Sequence, residues 1–306
     1  MRRLKDDRSL LSQLAAIAAY FELGSVLSQQ RVGGYANENY LVTTEAGVFV
    51  FKLLLNHPLE DFQQELIYLQ RLEKYAYPAA YYLPSPHIIP FYQDGNVIAV
   101  VMQKKEGHAP EKSMAVSREI GSRLAQLHLI PNAGLPGKGS WMNANYILEA
   151  LDIAQHTGNK IETDRFLQAY QQVCSFQPGV LPQSIIHGDV TPDNCLFIDD
   201  QLSALLDWEE VTIGASLLDF AMATLMFCFV RRVFQPPLLI SLLDGYTQRR
   251  PLMKEELGQL EVAVKHAGLM ISTYFLLQSL QDPSVESAKD LQGFYWQCGL
   301  DSWYTA

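Results

Sequence analysis

The sequence of 306 residues predicts a bilobal α+β protein, with a small antiparallel-sheet lobe over residues 1–102 and a larger, mainly helical lobe over residues 103–306. Three observations predict it. Strand-like runs separated by glycine-bearing turns follow one another through residues 26–54, helical apolar spacing dominates from Ser113 onward, and residues 184–209 set polar side chains at the ends of two apolar strands. A chain of this length that is 48% hydrophobic can bury a substantial core.

Residues 6–21 carry Leu10, Leu11, Leu14, Ala15, Ala18 and Ala19 at helical spacing with acids at the start, which predicts a helix packed on the first lobe. Residues 26–32, 39–44 and 48–54 then form an antiparallel meander, turning at Gly33-Gly34 and at Glu45-Ala46-Gly47. Lys52 is a lone charge in an apolar strand and needs solvent or a partner; Glu65, on a helix predicted over residues 58–74, is the expected partner. Four prolines make residues 76–90 a connection. A strand over residues 96–102 and a polar hinge over residues 103–107 complete this part.

In the second lobe, residues 113–129 form an amphipathic helix ending near His128, which is expected to be structural. Helices over residues 141–154 and 164–174 follow a Gly/Pro-rich loop. Residues 216–230 are nearly all apolar, so the helix there is buried on most sides. Its one acid, Asp219, must then be satisfied by hydrogen bonds, with backbone amides of the preceding loop as the expected donors. Residues 236–246, 252–280 and 283–303 are helical by pattern. Their aromatic residues Tyr274, Phe275, Phe294, Tyr295, Trp296 and Trp303 belong to the core or line a pocket.

Composition narrows the class of function. The net charge of −10 sits wholly in residues 151–306, which argues against nucleic acid as a partner, since phosphate binding needs a basic face. The longest apolar run, residues 217–230, contains Asp219 and is too short for a bilayer span, so no membrane partner is expected. The basic N-terminus has no apolar signal core, and the four cysteines form no Cys-x-x-Cys pair; both fit a cytoplasmic protein.

The chemistry lies in His187-Gly188-Asp189, Asn194 and Asp207. An apolar run leads into His187, a short hairpin turns at Asp199-Asp200-Gln201, and a second apolar strand ends on Asp207. Transfer of a terminal phosphoryl group requires positioning, charge neutralisation and a base beside the acceptor hydroxyl. Asp189 suits the base, while Asn194 and Asp207 offer the hard oxygen ligands that Mg2+ prefers. Lys52, held by Glu65, would steady the nucleotide's phosphates. Gly33 and Gly34 either let a loop approach those phosphates or simply make a tight turn. Backbone groups of Val101, Met102 and Gln103 would meet the adenine ring.

His-Gly-Asp followed by an Asn five residues after the Asp resembles the aminoglycoside phosphotransferase and choline kinase superfamily. The likeness continues through Asp207-Trp208-Glu209 and Asp219-Phe220-Ala221, and residues 33–40 look most like the homoserine kinase-like branch. The resemblance implies a protein-kinase-like fold with the active site between the lobes. It further implies ATP as donor, with GTP left open, Mg2+, and a small-molecule acceptor. By resemblance alone, Asn37 and Asn39 are candidates for phosphate contact. A homoserine or amino alcohol acceptor comes first, an aminoglycoside or choline second, and a silent nucleotide-binding scaffold is the alternative outside enzymes. A protein kinase is disfavoured, because the chain lacks the Arg of His-Arg-Asp, Phe-Gly after Asp207 and an Ala-Pro-Glu segment.

Overall fold

The computed structural model describes residues 7–32, 37–54, 58–95, 97–156, 160–281, 292–293, 295–296 and 298–299. The chain divides into two compact units, Met1–Gln63 with Ala79–Glu106, and Gln64–Pro78 with Gly107–Ala306.

In the first unit, β1 (Val26–Arg31), β2 (Glu38–Thr44), β3 (Gly47–Leu54), β4 (Tyr92–Asp94) and β5 (Val97–Gln103) make a five-stranded antiparallel sheet in the order β1-β2-β3-β5-β4. Strand alternation sends Tyr40, Val42, Phe49, Phe51, Leu53, Ala99 and Val101 to one face. There they pack against Leu14, Ile17, Ala18 and Phe21 from helix α1 (Asp7–Tyr20) and its end. The other parity carries Lys52, which lies opposite Asn39 on β2 and opposite Val100 on β5. The three strands and the helix expected here are present within two residues of their predicted ends; the short β4 was not anticipated.

Helix α2 (Leu59–Lys74) begins in the first unit and ends in the second. In the second unit, α3 (Met114–His128) is capped by Ser113, whose hydroxyl accepts the Val116 N–H at 3.1 Å. Helices α4 (Ala144–His156) and α5 (Lys160–Val173) follow. Strand β6 (Gln183–Ile186) pairs antiparallel with β9 (Thr212–Ala215), while β7 (Cys195–Ile198) and β8 (Gln201–Leu205) form a hairpin. Its two-residue turn is Asp199-Asp200, both at positive φ (48° and 59°), as a primed turn requires.

Helix α6 (Ser216–Phe227) is buried at every residue. It ends three residues earlier than its apolar pattern predicted. The chain instead enters a small hairpin, β10 (Phe229–Val230) and β11 (Val233–Phe234), turning at Arg231 and Arg232 with φ of 49° and 67°. Helices α7 (Pro236–Thr247) and α8 (Lys254–Gln281) complete the described elements. By length and composition α8 passes for a membrane span, yet most of its apolar window is buried inside the protein, as a core helix would be.

Helices α3 and α7 approach closely through two glycines. A Cβ on Gly245 would lie 1.9 Å from the Arg118 carbonyl oxygen, and one on Gly121 would lie 2.0 Å from that of Leu242. Only bare backbone fits at either place.

Candidate active site

The site is built where β6 ends. Its strand delivers His187, and Gly188 then turns the chain at φ +83°. A side chain at Gly188 is excluded twice, by that φ and by the Glu210 carbonyl oxygen, which an added Cβ would meet at 2.9 Å. Asp189 follows, and the 3-10 turn Pro192–Asn194 brings Asn194 back onto it. The Asn194 amide donates to Asp189 Oδ2 at 2.8 Å and to the Asp189 carbonyl at 3.0 Å. With its nitrogen committed there, the Asn194 Oδ1 is the side-chain atom that remains to accept a hydrogen bond or bind a cation.

Asp207 is exposed at the end of β8, in the left-handed region at φ 59°. Leu206 N–H donates to the Asn194 carbonyl at 2.8 Å, which ties the end of the loop after β6 to the start of the loop after β8. Beside it, the Trp208 ring is buried edge-on against Tyr77 and His187, and its indole N–H donates to the Leu205 carbonyl at 3.0 Å.

The fully buried imidazole of His187 joins the two strand ends. The Asp189 N–H donates to His187 Nδ1 at 3.1 Å, so that nitrogen is bare and the proton sits on Nε2, which donates to the Leu206 carbonyl at 2.9 Å. Burial pushes this imidazole's pKa down, which keeps it neutral. Sequence reasoning read the histidine only as part of a motif; its bridging role depends on strand pairing that no local pattern reveals.

Asp219, with no exposed surface, accepts the His187 N–H at 2.7 Å and the Gly188 N–H at 2.8 Å, and faces His128 Nε2 at 3.4 Å. The tie between α6 and the loop amides is thus present, and His128 is structural.

The electrostatics separate Asp189 from its neighbours. Its carboxyl is raised to about 7, first by burial, then by the charge of Asp207, against the lowering effect of the Asn194 hydrogen bond; Glu210 and Asp219 raise it further. A carboxyl that titrates near neutrality can take up a proton at working pH.

Three half-buried side chains stand around Gly188-Asp189 that spacing had not singled out together. Trp141 donates its indole N–H to the Gly188 carbonyl at 3.0 Å, the Tyr146 ring lies edge-on to it with centroids 6.0 Å apart, and the Glu210 backbone abuts Gly188. Burial, Tyr274 and then Glu210 and Glu149 push the Tyr146 phenol up to about 12. Trp141 follows a Gly/Pro-rich loop and carries no sequence signal for this contact.

In the first unit, Lys52 and Asn37 are both buried at 5% exposure. Asn39 is half-buried beside Lys52 across the ladder, and Glu65 is buried on α2. Val101 is buried, its carbonyl accepting the Leu83 N–H at 2.6 Å, whereas Met102 is half-buried and Gln103 exposed. Gly33, Gly34, Phe294 and Trp303 lie outside the described residues.

A model of the phosphotransferase enzyme family matches residues 28–255, and the chain belongs to that family. Within it, the chain is a small-molecule kinase whose acceptor group is a hydroxyl. A homoserine kinase of Rhodopseudomonas palustris is 26% identical over 291 residues, covering 89% of this chain and 85% of the relative. One from Parvibaculum lavamentivorans is 27% identical over 292 residues, covering 88% and 85%. Among solved structures, an amicoumacin kinase in complex with AMP-PNP, Ca2+ and Ami superimposes with a TM-score of 0.74 at 12% identity, covering 96% of this chain and 93% of its own. A microcompartment-associated aminopropanol kinase superimposes with a TM-score of 0.66 at 16% identity, covering 93% and 95%. The fold is therefore the bilobal protein-kinase-like α+β fold, with a small antiparallel-sheet lobe and a larger helical one.

Proposed function

We propose that this chain transfers the γ-phosphoryl group of ATP to the hydroxyl of a small, amine-bearing metabolite of the homoserine or amino-alcohol type, in the cytoplasm. The observation that carries it is Asp189, poised near neutrality and oriented by Asn194. Asp189 accepts the hydroxyl proton as the acceptor oxygen bonds to the γ-phosphorus; the bond from that phosphorus to the bridging oxygen breaks, and ADP leaves with the electron pair. Asn194 Oδ1 and the Asp207 carboxylate are assigned to a divalent cation, Mg2+. Among the described residues no group of three or more His, Cys, Asp or Glu could hold a metal. Two protein ligands are what Mg2+ takes when substrate phosphates complete its shell, and when bound it would neutralise charge on those phosphates. Lys52 is assigned to the phosphates, with Glu65 as its expected counter-charge, and Val101 to Gln103 to the adenine.

Support for the amine comes from residues near Gly188 and Asp189. Glu210, whose charge acts on both Asp189 and Tyr146, together with the Trp141–Tyr146 ring pair at the Gly188 carbonyl, is a setting an ammonium group favours. The exposed Asp193 and half-buried Glu209 add negative charge that would concentrate a cation. The names of the homoserine kinase relatives and of the aminopropanol kinase point the same way; an aminoglycoside or choline comes second.

ADP release with homoserine, amino alcohols, choline, an aminoglycoside and neutral diols, at low and high salt, tests the proposal. Turnover is expected with an amine-bearing alcohol, in ATP and Mg2+, and its efficiency should fall with ionic strength more than a diol's, because screening weakens steering. Phosphorylation of neutral or anionic alcohols with the amines ignored would overturn the acceptor assignment and leave the kinase standing. Equal ATP affinity in Mg2+ and in excess chelator would remove the metal from Asn194 and Asp207.

A further inference from the structure

Behind the catalytic loop runs a buried chain of polar side chains that phosphoryl transfer itself does not use. His128 Nδ1 lies 2.7 Å from the Tyr246 hydroxyl, and Arg250 donates to that hydroxyl oxygen at 2.9 Å. Arg250 in turn holds Glu256 through two hydrogen bonds of 3.2 and 3.0 Å, and the Met253 N–H donates to Glu256 at 2.9 Å. The Glu256 side chain is wholly buried, and that of Arg250 is 12% exposed.

The donors fix a direction. The Asp219 carboxylate only accepts, so the imidazole proton of His128 sits on Nε2 and its bare Nδ1 accepts the Tyr246 O–H, while the Tyr246 oxygen accepts from the guanidinium of Arg250. Burial holds the Tyr246 phenol well above its ordinary pKa, so the O–H persists. Asp219 closes the chain by accepting the His187 and Gly188 amides. Rings add rigidity: Tyr246 stands edge-on to Phe220 and to His128, with centroids 5.1 and 5.6 Å apart. The glycine contact between α3 and α7 allows His128 and Tyr246 to meet.

We propose that Tyr246, anchored by the Arg250–Glu256 pair, is a positioning residue for phosphoryl transfer, acting through His128 and Asp219 on the backbone that sets Asp189. The part concerning turnover rests on the kinase function proposed above; the part concerning the loop amides does not.

Tyr246→Phe keeps the ring and deletes the link, while Leu242→Val, on the same helix and outside the relay, loosens packing alone. Hydrogen exchange at the His187 and Gly188 amides should quicken about tenfold in Tyr246→Phe relative to Leu242→Val at matched melting temperature. With the acceptor that the alcohol panel identifies, or with water if none is turned over, kcat should fall about tenfold while the KM for ATP changes less than twofold, since only the placement of Asp189 is disturbed. Equal exchange and equal kcat in the two variants would overturn the proposal. Slower turnover without faster exchange would also overturn it, because the loop backbone would not be the route. Should Tyr246→Phe not fold, Arg250→Gln, one link further out, is read by the same two measurements.

Discussion

The loop after β6 and the first turn of α6 each present a carboxylate to the same stretch of backbone, and their surroundings assign them opposite work. Asp219 has no exposed surface and is surrounded by donors: two amides and an imidazole. Asp189 is half-buried, receives its side-chain hydrogen bond from Asn194, and shares its neighbourhood with Asp207 and Glu210. Burial alone does not make a carboxylate structural or reactive; the balance of donors against like charges does. The donor-rich acid holds the loop, and the acid raised toward neutrality is the one suited to the proton transfer proposed above.

The comparison breaks most visibly at Asp219. Asp219→Ala leaves the His187 and Gly188 amides and His128 buried without their acceptor, at about 1–3 kcal/mol for each unsatisfied group, against a typical total stability of about 5–15 kcal/mol. The expected outcome is a protein that hardly folds, read from soluble yield and urea unfolding. A loss below about 1 kcal/mol would mean that these hydrogen bonds do not hold the loop.

Asp189→Asn has the reverse character. The shape is kept and the proton acceptor removed, so turnover should fall by about 100-fold or more while nucleotide affinity changes little. Near-normal turnover on the true acceptor would remove Asp189 from the role of base.

The third effect is smaller and sharpens the support side of the contrast. Gly245→Ala pushes a methyl group into the Arg118 carbonyl, and overpacking of this kind costs about 1–3 kcal/mol. Differential scanning calorimetry should show the loss, and by moving His128 away from Tyr246 the substitution should also loosen the His187 and Gly188 amides. An unchanged melting temperature would mean that α3 and α7 do not need the close approach.

Much of this was legible in the sequence, and the reasons for the misses are physical. The meander of β1 to β3, the hairpin turn at Asp199-Asp200 and the buried α6 all announce themselves through local periodicity or turn chemistry. Strand β9 did not: Thr212-Ile213-Gly214-Ala215 is too short for alternation to register, and it exists because β6 pairs with it. The apolar pattern runs past the end of α6 because Cys228, Phe229 and Val230 are as apolar as the helix itself, and only the Arg231-Arg232 turn ends the run. In the candidate site, the proximity of Asp189, Asn194 and Asp207 was legible because phosphoryl transfer would need those residue types in that order. The relay from Asp219 to Glu256 was not, because His128 and Tyr246 are 118 positions apart and each looks like an ordinary residue on an amphipathic helix.

The smallest effect tests the electrostatic half of the contrast. In the folded protein Asp189 keeps its proton up to about pH 7, whereas an unfolded carboxyl loses it near the ordinary value of 3.8. The raised pKa therefore contributes stability that is fully present below about pH 4 and is lost as pH rises through about 7. Asp189→Asn has no such titration, so its melting temperature relative to the native chain should climb by a few degrees between pH 5 and pH 8. The buried imidazoles of His187 and His266, whose pKa values are pushed down, act in the opposite sense and lose their contribution as pH falls below about 6.5, but they are common to both proteins and cancel in the difference. The comparison belongs in chelator without nucleotide, since a cation on Asn194 and Asp207 would draw the Asp189 proton off at lower pH. A difference that stays flat with pH would mean that Asp189 is an ordinary ionised carboxylate, and the opposition between it and Asp219 would then rest on geometry alone.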